Sequence, residues 1–330
     1  MLDFLKGMSS GGWPWVVGWI FPSLIFVSSV ALVLVGGDSD LPIIGDVVSL
    51  SAAERTSVIF AVALILGLLL SALSDPLYRI LEGYLLMPSR HRTWRTKRKR
   101  KACNQLVADI TERMAVAESA AFQQPGYALE TALLQERLRL YPADPGQLGP
   151  TRLANAIRAF ETYGQDHYGL DQQGLWQELS ASVSSDLRAE VASARGSVDF
   201  FVSLLYLGVA FAVADAFALY WQDANATQIT ALLLSLVCAV SSYQLAIVAC
   251  KAWADAVQAV VNLGRVKLAT AMGLRIPATL ADERAMWGCV YEVLLKDYDP
   301  ENVALLDVYR VAGPPPTPNG SASREAPDVP

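Results

Sequence analysis

The chain is poor in the groups that most enzymes use for chemistry. It has two histidines, His91 and His167, far apart in sequence and without metal-ligand spacing. Its four cysteines, Cys103, Cys238, Cys250 and Cys289, include no C-x-x-C pair, so neither a zinc ribbon nor a redox dithiol is expected. They are expected to stay reduced, with no disulfide framework. There is no Walker loop, no Gly-rich dinucleotide turn and no Gly-x-Ser-x-Gly elbow. No cofactor, no metal and no catalytic residue is therefore expected, and the chain reads as a non-enzyme. Period-two alternation is missing as well, which argues against strands. Charge is also scarce. Charged residues make up 18% of the chain, against about a quarter in an ordinary soluble domain, and this deficit points to a membrane protein.

What is present in abundance is apolar length. Four blocks, at about 13–35, 57–73, 198–220 and 229–250, contain no Lys or Arg. Each reaches the roughly 17–25 helical residues that cross a bilayer. Small residues recur at four-residue steps within them: Ala63, Gly67 and Ser71; Gly208, Ala212 and Ala216; Ala231, Ser235 and Ala239. Such stripes let helix backbones approach in lipid. They suit packing within one four-helix bundle, and a leftover stripe would suit a homo-oligomer. Pro14 and Pro22 are expected to start or kink the first span. The block is longer than a signal-peptide core and no small-x-small site closes it, so it reads as an uncleaved anchor.

Loop charge gives the threading. The link 36–56 holds Asp38, Asp40, Asp46 and Glu54 against Arg55 alone, and the link 221–228 has no basic residue. Both are expected outside, with both termini and the long middle segment in the cytoplasm. Trp13, Trp15, Trp19, Tyr220 and Trp221 suit an aromatic belt at headgroup level. Asp215 is the one acid well inside a span, a candidate for a proton or ion path or for a structural contact. Asp75 and Asp199 fall at cytoplasmic ends.

After the second block, Leu77, Ile80, Leu81, Tyr84 and Leu85 keep helical spacing and predict a short amphipathic helix at the interface, closed by Pro88 and Ser89. The basic run 90–101 follows. Arg90, Arg92, Arg95, Lys97, Arg98, Lys99, Arg100 and Lys101 are expected to meet anionic headgroups of the inner leaflet, where each contributes about 1 kcal/mol. Trp94 and His91 could stack on nucleic acid, but no nucleic-acid-binding signature accompanies them, and none is expected as partner.

From 102 to 195 the text reads as helical. Leu106, Ile110, Met114 and Ala117 form one stripe, and Leu134, Leu138 and Tyr141 another. The 141–146 cluster is a turn. A helix from about Thr151 puts Leu153, Ile157 and Phe160 on one face and Asn155, Arg158 and Thr162 on another. A break through Gly164 and Gly169 is expected, then one helix from about 175 to 194 that feeds the third span. Asn155, Arg158, Glu161, Tyr168, Asp171 and Trp176 are the candidate ligand or partner residues, lining a polar pocket or else holding a helix–loop junction together.

Two stretches are distinctive: Gly149-x-Thr151-x-Leu153-x-Asn155-x-x-Arg158-x-x-Glu161-x-Tyr163 with Tyr168-Gly169-x-Asp171 and Trp176, and Gly264-Arg265 through Leu274-x-x-Pro277 to Asp282-Glu283-Arg284-x-x-Trp287. In these the chain resembles a group of bacterial four-span inner-membrane proteins that carry a helical cytosolic insert and have no established activity. The resemblance covers about 75–295; it implies the four-span layout and no catalytic role.

The expected fold is all-α: four transmembrane helices in two hairpins with a helical cytosolic domain between them. The divisions are 1–91, the first hairpin and interfacial helix; 92–196, the cytosolic domain; 197–264, the second hairpin with a helical extension; 265–312, a C-terminal helical segment around 280–298; and 313–330, a tail too poor in apolar residues to fold. The expected role is a non-enzymatic anchor or sensor in the bacterial cytoplasmic membrane, presenting its helical part to a cytosolic protein or small ligand. A rival is an oligomeric channel or membrane-permeabilising effector built on spans two to four and Asp215.

Overall fold

Uninterrupted apolar text sets the longest helices. The computed structural model describes residues 12–36, 50–116, 126–221, 226–296 and 299–311. The first apolar block forms α1 (Trp13–Trp15), a π-helical turn (Val16–Ile20) and α2 (Phe21–Gly36). The others form α3 (Ala52–Ala72), α10 (Ser185–Trp221) and α11 (Ala226–Ala271). These four stretches are long and apolar enough to cross a membrane. Between them lie α4 (Ser74–Glu82), α5 (Ser89–Val116), α6 (Tyr127–Leu138), a 3-10 turn (Pro145–Gln147), α7 (Arg152–Glu161), α8 (Tyr163–Tyr168) and α9 (Trp176–Ser182). After α11 come α12 (Leu280–Leu295) and α13 (Pro300–Asp307). Among the described residues there is no strand, only one antiparallel bridge between Leu274 and Arg310.

The π turn has a chemical cause. Pro22 has no N–H, so the carbonyl of Gly18 loses its helical partner. The backbone widens, and Phe21 N–H reaches the carbonyl of Val16. The Ser203 hydroxyl on α10 then donates to Gly18 O at 2.8 Å, which satisfies the freed carbonyl. Gly18 and Gly196 let the two backbones approach. A Cβ on Gly18 would lie 2.9 Å from Asp199 Cβ, and one on Gly196 would lie 2.8 Å from Pro14 O.

The small-residue stripes are used inside the chain. Ala63 and Gly67 of α3 are buried, Gly67 sits against Trp19 and Ile20, and Ser71 accepts from the Trp15 indole at 2.7 Å. Gly208 faces Ser235 and Ala239 across α10 and α11. Trp19 is buried with Leu70 and Leu207 and does not join an aromatic belt. Tyr220 and Trp221 have side chains outside the described residues, as do the 37–49 and 222–225 links and the 312–330 tail.

Two larger clusters hold the rest. Leu153, Ile157 and Phe160 of α7 pack on Val198 and Val202 of α10 and on Ala246, Ile247 and Cys250 of α11. Leu175 just before α9, Leu179 within it, Val260, Val261 and Leu268 of α11, and Met286, Trp287 and Val290 of α12 form the other. Both of these clusters are therefore built on α11, and the first on α10 as well.

Three local expectations need correction. The interfacial helix ends at Gly83, whose φ of +82° makes the left-handed cap, and not at Pro88 and Ser89, where α5 begins. The break through Gly164 and Gly169 contains a helix, α8, closed by Gly169 at φ +72°. The helix foreseen over 175–194 is two helices parted at Val183. Ser182 donates to the carbonyls of Leu179 and Gly264, and Gly264 lacks the Cβ that would push Leu179, Ser182 and Val183 away. The restart at Asp75-Pro76 is present, since α3 stops at Ala72 and α4 starts at Ser74.

Candidate functional site

The first distinctive stretch begins with a locked turn. Thr151 caps α7 by accepting from Ala154 N–H at 3.0 Å. Asn155 is 1% exposed. Its Oδ1 accepts from Gly149 N–H at 2.8 Å, and its Nδ2 donates to the carbonyls of Gly149 and Thr151. Asn155 thus lies on the buried side of α7 and offers nothing to a ligand, contrary to its placement on a polar face.

Arg158 and Glu161 sit one turn on. Their side chains come within 3.6 Å, and Arg158 Nε donates to Tyr84 Oη at 3.5 Å. Glu82 of α4 joins this group. Its carboxyl is pushed up to about 7, first by burial and then by the Glu161 charge, with Arg158 opposing. Burial also raises Glu161. Asp171 has a turn to hold: its Oδ1 accepts from the N–H groups of Gln173 and Gly174, both at 3.1 Å.

Tyr168 belongs to a different junction. Its hydroxyl and that of Tyr163 donate to Asn262 Oδ1 at 2.8 and 3.1 Å. Arg265 lies over the Tyr168 ring, 4.1 Å from its centre, and pairs with Glu283 at 2.8 Å. Glu283 Oε1 also accepts from the Trp287 indole at 3.3 Å. Arg284 donates to Asp166 O at 2.6 Å, and Gly169 sits against the Arg284 backbone. The two distinctive sequence stretches therefore fold onto one another. Trp176 packs against both large clusters and links the two junctions. The six candidate residues are divided between these two junctions, with Trp176 between them.

No family model, curated protein or solved structure matches the chain.

A large concavity lies elsewhere. A cavity of about 1170 Å³ opens between α5, α6 and the α7–α8 corner on one side and α11 on the other. Val107, Leu133, Leu140, Ile247, Val248 and Ala254 give it an apolar wall, and none of the six candidate residues reaches it. Residues from five separate helices meet there, so no local spacing in the sequence could mark it. At its edges, Arg152 donates to Gln244 at 2.9 Å, and Lys251 pairs with Glu136.

The basic run forms the first three turns of α5 with no acid in the first turn. Cations at a helix N-terminus oppose the backbone dipole, and like charges four apart, such as Arg95 and Lys99 or Lys97 and Lys101, repel. Arg98 lies 5.7 Å from the Trp94 ring centre, and Arg100 donates to Pro145 O at 3.2 Å. Most of this surface is exposed. Asp199 is buried at the foot of α10, where its Oδ1 accepts from Tyr78 at 2.7 Å. Asp215 is half-buried, and its Oδ2 has no hydrogen-bond partner among the described residues. Among the described residues no His, Cys, Asp and Glu group could hold a metal ion.

Proposed function

We propose that the chain is a multi-pass protein of the bacterial cytoplasmic membrane, with both termini and residues 92–196 in the cytoplasm, that acts as a non-enzymatic anchor or sensor. One observation carries this reading. α10 and α11 have 37 and 46 residues, about 55 and 69 Å at 1.5 Å per residue. A bilayer's hydrocarbon is only about 30 Å thick. Each helix therefore extends well beyond one crossing; α9 and α12 pack on the extension of α11 at Val260, Val261 and Leu268, and α7 packs where the two spans reach their inner ends. A shift or tilt of the spans would be passed directly to those helices. The basic start of α5 supports contact with anionic inner-leaflet lipid, which would offset its self-repulsion.

The test is capture of a cytosolic protein or small ligand by the full chain in detergent or nanodiscs. The full chain is required because α7 and α9 pack on α10 and α11. Specific capture, lost on charge reversal on the exposed faces of α5 or α6, supports the reading. A second reading, an oligomeric channel, rests on Asp215 and its unpartnered Oδ2. Ion flux through purified protein in liposomes that disappears in Asp215→Asn would replace the anchor reading with that one.

A further inference from the structure

The cavity beside α11 combines a long apolar wall with a pair of cations at one edge. Its wall on α11 runs from Gln244 to Gln258, about 21 Å along the helix axis. Its volume of about 1170 Å³ exceeds the roughly 300–1,000 Å³ of ordinary small-molecule sites and suits an elongated guest. Cys103 of α5 lines it, and Lys99 lies one turn earlier on the same face of that helix. Arg152 of α7 lines the same edge and donates to Gln244 of α11. The charged groups acting on Lys99 are Arg152, Arg95 and Arg98, all cations, and burial together with these neighbours lowers its pKa. Two of the cavity's three carboxylates are engaged, Glu136 with Lys251 and Asp166 with the Thr162 hydroxyl. Asp255 is exposed on α11.

Two cations brought together without a carboxylate beside an apolar trough form a site for an anion with a hydrocarbon tail. We propose that this cavity binds a membrane lipid with an acidic head and an acyl chain, the head at Lys99 and Arg152 and the chain along Leu133, Ile247, Val248 and Ala254. The placement rests on the membrane reading above, since it puts Gln244 to Cys250 at the inner end of the fourth span, level with the headgroups. It gives that reading a ligand class and a site. An occupied cavity would fix the α5–α6 pair against α11, which directly touches it through few groups, among them the Lys251–Glu136 pair.

The experiment uses the full chain in detergent and a photoactivatable palmitate, with labelled peptides mapped by mass spectrometry. Label is expected in the peptides covering 133–140 and 244–258. Lysophosphatidylglycerol should compete, while inorganic phosphate and oleyl alcohol should not. Lys99→Ala with Arg152→Ala should weaken competition by lysophosphatidylglycerol about tenfold or more, the scale of a lost charge-assisted hydrogen bond. Leu133→Trp, at an exposed position on the cavity wall, should abolish the cavity label. Label confined to the spans, label unchanged in Leu133→Trp, equal competition by oleyl alcohol, or competition by inorganic phosphate would each overturn the proposal. None of these outcomes bears on whether a cytosolic partner is captured, so the two readings fail separately.

Discussion

Glu283 is 4% exposed and answers two donors, the Arg265 guanidinium and the Trp287 indole. Removing the carboxylate leaves a largely buried guanidinium without its counter-charge, and breaking such pairs costs about 3–5 kcal/mol. Glu283→Ala is therefore expected to lower the thermal midpoint of the purified chain sharply, whereas Glu283→Gln, which keeps an acceptor for Trp287, should lose less. An equal midpoint for Glu283→Ala and the native chain would show that the junction of the two distinctive stretches is not structural. Glu82 makes a prediction in pH. Its folded carboxyl sits at about 7 against an ordinary 4.5. The folded state thus holds a proton that the unfolded state has released, and stability is fully present below about 4.5 and declines as pH rises through 7. Glu161, raised by burial, adds in the same direction. Hydrogen exchange of the α4 amides should accelerate from pH 5 to pH 8 beyond the intrinsic rate, and Glu82→Gln should flatten that dependence.

At the scale of elements, α5 and the proline-broken first span are the informative cases. The first three turns of α5 are expected to exchange rapidly in neutral detergent and to become protected when phosphatidylglycerol is added; identical protection with phosphatidylcholine alone would remove the anionic-lipid contact. Ser203→Ala leaves Gly18 O without a donor beside Pro22, a loss of about 1 kcal/mol for one interhelical hydrogen bond. It should appear as a lower midpoint in denaturing-detergent titrations, and no shift would mean that the π turn satisfies itself. The apolar blocks of the long helices are legible because no Lys or Arg interrupts those blocks, and the start of α7 because Pro150-Thr151 marks it. The break at Val183 was not legible, since helical spacing runs through it and the cause is Gly264, far along the chain. Asn155 misled for a related reason. Its polarity suggested a surface, and its three hydrogen bonds to a tight turn place it inside. The cavity left no trace because its walls come from elements distant in sequence.

For the whole molecule, the decisive feature is that α10 and α11 are long and apolar enough to cross a membrane and are also the frame for the helices between and after them. Such a frame can report on the membrane only if α5 to α9 and α12 to α13 all lie on one side of it. Single cysteines introduced into a cysteine-free chain, probed with a membrane-impermeant maleimide on intact cells, test this most directly. Positions 39 and 225 are expected to label from outside, and positions 96, 177 and 301 only after permeabilisation. Labelling of 96, 177 or 301 on intact cells, or protection of 39 and 225, would contradict the threading and with it the anchor or sensor role.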